Sequence, residues 1–358
     1  MNDHRIQNSF PPSAELDSEC SDLAAISLDG VPAVVGAGVE LWTCDLTSGE
    51  RTTRPIDVAD AAPEDPVHNA DGELVDDPEV NEDSTEWARR LISRMTVTDL
   101  DGRPVVITGG EVYDLALILG DDFHGGAVRI WDLATGRKIG KTLTGHDLGV
   151  TSLTTVPSER GPLVLSSCET GRLLAWTLAG GERVAEIQAG YNGAMAAAVV
   201  NGRPVAVTGG HDHFVQAWDV LSGAPLGGPL TGIAPVVWAI GITELDGRAV
   251  VLAGGQETTL RMWDLATGER IGAPLTGHPG PIDQIAFTRF GDRPLAVTRS
   301  RDGTARVWDL ARGEQWGAPL TVPAGAISAM TTTEIDGTPV IVTGAADGTV
   351  HVWNLGRS

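Results

Sequence analysis

The chain has 358 residues, 42% hydrophobic and 20% charged, which excludes wholesale disorder and allows more than one ordinary core. Its formal charge of −23, from 25 basic and 48 acidic residues, argues against nucleic acid or an anionic membrane as a general partner. Three scattered cysteines (Cys20, Cys44, Cys168) exclude a disulfide framework and a thiolate metal site, and no stretch reaches the ~18 apolar residues of a membrane helix.

The start, MNDHRIQNSFPPSAEL, has no basic region followed by an apolar run, so no signal peptide is read and a reducing cytoplasm is the expected compartment. Beyond it the chain repeats. Seven tryptophans form a series: Trp42, Trp131, Trp176, Trp218, Trp263, Trp308 and Trp353. From Trp131 the intervals are 45, 42, 45, 45 and 45 residues, and the first is 89, about two periods. The clearest unit is 291–314, GDRPLAVTRSRDGTARVWDLARGE, with close parallels at 246–269 and 336–357. Each opens on a turn and continues in a short apolar run such as 294–298, which reads as a strand. Asp302-Gly303 or Asp347-Gly348 then predicts a two-residue hairpin, and the next strand ends at the Trp. A turn and an outer strand such as 270–275 follow. Upstream of each unit lies an inner strand with apolar residues at a fixed offset: Cys20/Leu23, Ile92/Met95, Val150/Leu153, Val237/Ile240, Ile282/Ile285 and Ile327/Met330. That makes four strands per unit. One such sheet cannot bury both of its faces, whereas radial stacking of neighbours can.

The repeat resembles the WD-repeat β-propeller family over nearly the whole chain. Trp-Asp stands at Trp131-Asp132, Trp218-Asp219, Trp263-Asp264 and Trp308-Asp309, and Gly-His at Gly145-His146 and Gly277-His278. The resemblance implies an all-β, seven-bladed propeller with four antiparallel strands per blade. It also implies a buried relay of histidine, strand hydroxyl, turn aspartate and tryptophan, which falls by position on His278, Thr298, Asp302 and Trp308. His146, Ser166 and Trp176 match three of the four places, with Thr170 where Asp is expected. Units four, five and seven have Tyr191, Ile233 and Pro323 in place of the histidine, and each lost buried bond forfeits roughly 0.5–1.5 kcal/mol. A nucleophilic reading of the hydroxyl, His and Asp gives way to this structural one.

The last unit ends without an outer strand, and residues 5–10, RIQNSF, align with RIGAPL at 270–275. The N-terminal segment is therefore expected to close the ring by supplying the outer strand of the last blade, making 1–358 a single propeller. The first outer strand fits 51–58 and the next inner strand begins near Leu91. Between them, 55–88 carries twelve acidic residues and no Lys or Arg, so an acidic insertion at about 59–88 is read rather than an eighth blade. A calcium loop fails there, because DGELVDDPEVNED lacks Gly at the sixth place. A second insertion, at about 110–126 in blade two, joins the middle strands. Alternating strand direction puts both insertions on one face, either as tolerated surface excursions or as an arm over a binding face.

Residues 136–142, GRKIGKT, imitate a phosphate loop but have Thr135 where its first Gly belongs, and they align with a turn and outer strand. His211-Asp212-His213 overlies a hairpin turn without a third ligand, so no metal and no cofactor is expected. Three tryptophans lie outside the series. Trp316 reads as outer-strand packing, and Trp87 as the end of the acidic insertion. Trp238 stands where other units have Thr151, Asp283 and Ser328, at the channel entrance, either packed under a loop or exposed as an anchor. The same ring of positions gives Asp22, Arg94, Asp283 and Gln284, and the residues before the hairpin turns add His211, Gln256 and Arg301. Each alone can be an ordinary solvated polar residue. Together they mark the face where a partner is expected.

These readings make the chain a non-enzymatic scaffold, monomeric by itself, for a protein or peptide partner. The acidic loops favour a basic segment. The alternative is an enzyme with its active site at the channel mouth under the two insertions, although no nucleophile, metal cluster or cofactor fingerprint supports it. The agreement between units, down to repeated WDLATG, reads as recent duplication and suggests a bacterial source.

Overall fold

The computed structural model describes residues 6–10, 22–37, 41–54, 92–113, 124–190, 192–211, 214–233, 236–322 and 326–355. Their strands fall in chain order into seven four-stranded antiparallel sheets. An N-terminal strand, β1 (Ile6–Phe10), precedes blade 1, which is β2 (Asp22–Leu28), β3 (Val31–Ala37), β4 (Leu41–Asp45) and β5 (Arg51–Arg54). Blade 2 is β6 (Arg94–Leu100), β7 (Arg103–Tyr113), β8 (His124–Asp132) and β9 (Leu143–His146). Blade 3 is β10 (Val150–Val156), β11 (Leu163–Cys168), β12 (Arg172–Thr177) and β13 (Arg183–Gln188). Blade 4 is β14 (Asn192–Val200), β15 (Arg203–Gly210), β16 (Phe214–Asp219) and β17 (Pro225–Thr231). Blade 5 is β18 (Val237–Leu245), β19 (Arg248–Gly255), β20 (Thr259–Asp264) and β21 (Leu275–Thr276). Blade 6 is β22 (Ile282–Phe290), β23 (Arg293–Ser300), β24 (Ala305–Asp309) and β25 (Glu314–Gln315). Blade 7 is β26 (Ile327–Ile335), β27 (Thr338–Ala345) and β28 (Val350–Asn354), with β1 as its fourth strand.

The fold is thus an all-β seven-bladed propeller. The innermost strands follow one another around a central channel, β2 beside β6 and onward to β26, which lies against β2. The core divides into seven clusters, each across one blade boundary and each holding one tryptophan of the series. Trp131 of blade 2 packs on Val35, Ala37 and Leu41 of blade 1, and Trp42 of blade 1 packs on Val340, Val342 and Val350 of blade 7. The tryptophan spacing follows the blade spacing from blade 2 to blade 7, whereas in blade 1 Cys44 takes the place opposite Val34 and Trp42 lies two residues before it. A blade buries its faces only through its neighbours, as a stacked repeat must.

β1 runs antiparallel to β28, with Ile6 opposite Trp353 and Phe10 opposite Val350, and a register shift between Ile6 and Asn8. The two-residue turns lie between the first and second strands of the blades. Asp29-Gly30, Asp101-Gly102, Asn201-Gly202, Asp246-Gly247 and Asp336-Gly337 all have positive φ at both positions, the type I′ pattern that suits hairpin twist. Asp302-Gly303 and Asp347-Gly348 are different and correct the sequence expectation, the latter with Gly348 N–H donating to the Ala345 carbonyl at 2.9 Å and Ala345 N–H to the Thr349 carbonyl at 2.8 Å. Gly303 N–H donates to the Ser300 carbonyl, and Ser300 N–H donates to the Thr304 carbonyl, both at 3.1 Å. That is a three-residue loop ending in Gly303 at φ 84°, which frees the Asp302 side chain for other bonds.

The outer strand expected at 270–275 is also broken. Arg270 bridges to Trp263, and regular pairing resumes only at Leu275 and Thr276. Gly272 at φ 65° and Pro274, which has no N–H, interrupt the ladder between them. The next inner strand begins at Arg94 rather than near Leu91. The insertion expected at 59–88 lies outside the described residues, as do 114–123 of the one expected at 110–126. The described flanks of the latter extend the β7–β8 ladder to Tyr113 opposite His124.

Candidate functional site

The innermost strands of all seven blades line a channel cavity of about 560 Å³. Among the sequence-derived candidates, Asp22, Arg94, Trp238, Asp283 and Gln284 line it. All lie at or near the starting ends of innermost strands, the ends where β5 and β7 finish and β8 begins. His211, Gln256 and Arg301 are exposed and do not line the cavity. Arg301 still reaches the group, because its guanidinium lies over the Trp238 ring, 4.1 Å from the centroid.

Around Trp238 the geometry is that of a charged cluster on an aromatic base. Trp238 is half-buried at the start of β18. Asp283, at the start of β22, accepts from Arg299 Nε at 2.9 Å on one carboxylate oxygen and faces Arg301 Nε at 3.7 Å with the other. The cluster therefore bridges blades 5 and 6. Arg299 was missed in the sequence, but it carried a signal. It stands where the other repeats have Gly109, Ser167, Gly209, Gly254 and Gly344.

Three candidates are engaged in bonds between blades. Asp22 of blade 1 accepts the Met95 N–H of blade 2 at 3.0 Å. Burial pushes its carboxyl above the ordinary range, against the Met95 bond and the nearby Arg94 charge. Arg94 donates Nε to the Thr151 carbonyl of blade 3 at 2.7 Å. Gln284 donates Nε2 to the Met330 carbonyl of blade 7 at 2.7 Å. These side chains span gaps that no backbone ladder crosses, which makes them ties of the ring as well as parts of the channel wall.

In blade 6, Trp308 Nε1–H donates to Thr298 Oγ1 at 2.8 Å, and Thr298 lies 2.9 Å from His278 Nε2. His278 Nδ1 lies 2.9 Å from Asp302 Oδ2. Indole can only donate and carboxylate can only accept, so neutral His278 gives all three bonds one direction: Trp308 to Thr298 to His278 to Asp302. Burial lowers the His278 pKa and outweighs the raising effect of Asp302, which keeps the ring neutral. Burial alone would raise the Asp302 pKa, but bonds from Thr304 and His278 hold it below the ordinary value. In blade 3, His146 Nε2 lies 2.7 Å from Ser166 Oγ, but its buried Nδ1 has no partner. Burial, reinforced by Arg172, lowers the His146 pKa to about 4. Ile233 is buried in the core of the blade 4–5 boundary. Tyr191, Pro323, Asp212, His213 and Trp87 lie outside the described residues. Trp316 packs against Phe290 at 5.8 Å between ring centroids.

Among the described residues no group of three or more His, Cys, Asp or Glu could hold a metal ion, and no helix is long and apolar enough to cross a membrane. The WD domain, G-beta repeat family matches residues 137–177, 269–309 and 326–354. The matched stretches fall across blades 2–3, 5–6 and 7, and the blades between them repeat the same four-stranded sheet. The chain carries WD40 repeats in a seven-bladed β-propeller. Proteins of this class are commonly interaction scaffolds and generally bind proteins. A comparison with curated proteins finds no match.

Proposed function

We propose that the chain is a non-enzymatic scaffold in the cytoplasm that holds a protein or peptide partner at the channel mouth around Trp238. The observation that carries this reading is the Trp238–Arg301–Asp283–Arg299 cluster. A large aromatic occupies an inner-strand start where other repeats have small or polar residues, and a cation stacks on it from the next blade. An indole that is apolar on its faces and framed by charge supplies buried contact and orientation together, the usual composition of a binding hot spot. The surrounding strands are already ordered, so docking forfeits little backbone entropy. Insertions at 59–88 and 110–126 would flank the same face, and the acidic one would steer a basic partner segment toward it.

Affinity capture at low salt from the native host, with wild type and Trp238→Ala side by side, tests the reading. A protein retained by wild type, lost with Trp238→Ala and weakened by added salt supports it. Equal retention by both chains contradicts the placement.

A further inference from the structure

The charged side chains lining the channel cavity are Asp22, Arg94, Asp283 and Arg299. With Arg301, which faces Asp283 from the rim, three guanidinium groups stand against two carboxyls. The carboxyls are also the more heavily committed. Asp283 is shared by Arg299 and Arg301. Asp22 accepts the Leu23 N–H on one oxygen and the Met95 N–H on the other, and its burial disfavours the charged form.

The guanidinium groups keep donors in hand. Arg94 gives Nε to the Thr151 carbonyl and Nη1 to the Ser93 carbonyl, and its Nη2 makes no hydrogen bond among the described residues. Arg299 gives only Nε, to Asp283. Its side chain is 18% exposed, yet neither terminal nitrogen is hydrogen-bonded among the described residues or sealed from solvent, so both open on the cavity that Arg299 lines. Blade 6 alone has a charge at this register place, where the other blades have Gly36, Gly109, Ser167, Gly209, Gly254 and Gly344.

Arg94 from blade 2 and Arg299 from blade 6 both act on Asp22 of blade 1, so the two cations converge on one sector of the channel. Blade 7, between blades 6 and 1, presents Ser328, Ala329 and Gly344 at this level, none long enough to fill that sector. The cavity of about 560 Å³ has the size of an ordinary small-molecule site.

We infer that the channel binds a small organic anion, a di- or tricarboxylate, gripped between Arg299 and Arg94. Guanidinium pairs with flat carboxylates by charge-assisted hydrogen bonds, and two guanidinium groups on different blades call for a ligand with more than one carboxylate. The net charge of −23 opposes any anion at long range, so affinity comes from these short bonds rather than from steering.

The test is isothermal titration calorimetry of the full chain with citrate, succinate and inorganic phosphate, at ionic strength matched with sodium chloride. Wild type is compared with Arg299→Gln, Arg94→Gln and Arg160→Gln. Arg160 is an exposed control in the turn between β10 and β11, at the far end of the blades. Wild type should bind one equivalent of citrate or succinate. Either channel variant should weaken this by more than about tenfold, and Arg160→Gln should leave it unchanged. No saturable heat with wild type, an unchanged affinity in either channel variant, or an equal loss with Arg160→Gln overturns the site. Phosphate bound as tightly as citrate overturns the two-point grip. Should Arg299→Gln fail to fold, Arg299→Lys takes its place: it keeps the charge but loses the planar fork, and wild-type affinity then overturns the site. No partner protein enters this titration, so its outcome is separate from that of the Trp238 capture.

Discussion

The guanidinium of Arg301 stacks on the indole of Trp238 at 4.1 Å across the boundary between blades 5 and 6, and Asp283 stands beside it at 3.7 Å. Trp238 stands at the start of β18 and Arg301 in the loop between β23 and β24. The pair should couple energetically. A double-mutant cycle of Trp238→Ala and Arg301→Ala, read by urea unfolding, is expected to give about 0.5–1 kcal/mol of interaction. Strictly additive single effects would show that the stacking carries no stability.

The blade 6 relay predicts an ordering among hydroxyl substitutions. Thr298→Val removes the acceptor of Trp308 and the donor to His278, leaving two buried groups unsatisfied. It should cost roughly 2–4 kcal/mol. Thr208→Val in blade 4 removes only the acceptor of Trp218, whose N–H lies 2.9 Å away, and should cost about 1 kcal/mol. Denaturant midpoints at constant slope measure both. Equal costs would mean that the histidine link adds nothing.

His146 makes stability depend on pH. Its folded pKa of about 4 lies below the ordinary 6.5, so between these values the unfolded chain takes up a proton that the folded one refuses. Stability is full above pH 6.5 and falls as the pH drops toward 4, by roughly 3 kcal/mol from this residue. Burial of His278 and His351 acts in the same direction. Asp22, pushed up by its own burial, opposes them. Thr170→Asp would place a carboxylate where blade 6 has Asp302, giving the orphaned Nδ1 of His146 an acceptor. The variant should be more stable at pH 7 by about 1–2 kcal/mol and flatter between pH 6.5 and 4. A histidine titration by NMR in which the His146 pKa stays near 4 would contradict this.

β1 pairs with β28, so deleting residues 1–12 removes the outer strand of blade 7. The expected result is a Tm lower by roughly 5 °C, read by calorimetry. An unchanged Tm would mean that the pairing does not hold the ring.

Much of the blade architecture was legible because it repeats. From blade 2 on, the tryptophan interval gave the boundaries, and the Asp-Gly pairs marked hairpins. Details that depend on single departures were harder to read. Gly272 and Pro274 break an outer strand that the apolar pattern alone makes continuous. Asp302-Gly303 reads as a two-residue turn until the bonds of Ser300 are known. The ties between blades run from long side chains to backbone carbonyls, as Arg94 does to Thr151 and Gln284 to Met330, and such bonds leave no periodic trace. At the candidate site Trp238 was visible as an unexplained aromatic. Arg299, its neighbour in the cluster, could have been found the same way, as an arginine in a place of glycines.

The most direct measurement is the affinity of a captured partner for wild type, Trp238→Ala and Leu221→Ser, with Leu221 an exposed residue in the turn after β16 of blade 4, at the other end of the blades. The scaffold account expects Trp238→Ala to weaken binding by more than about tenfold, with Leu221→Ser unchanged. Unaltered binding with Trp238→Ala, or a loss confined to Leu221→Ser, would contradict the channel mouth as the binding face.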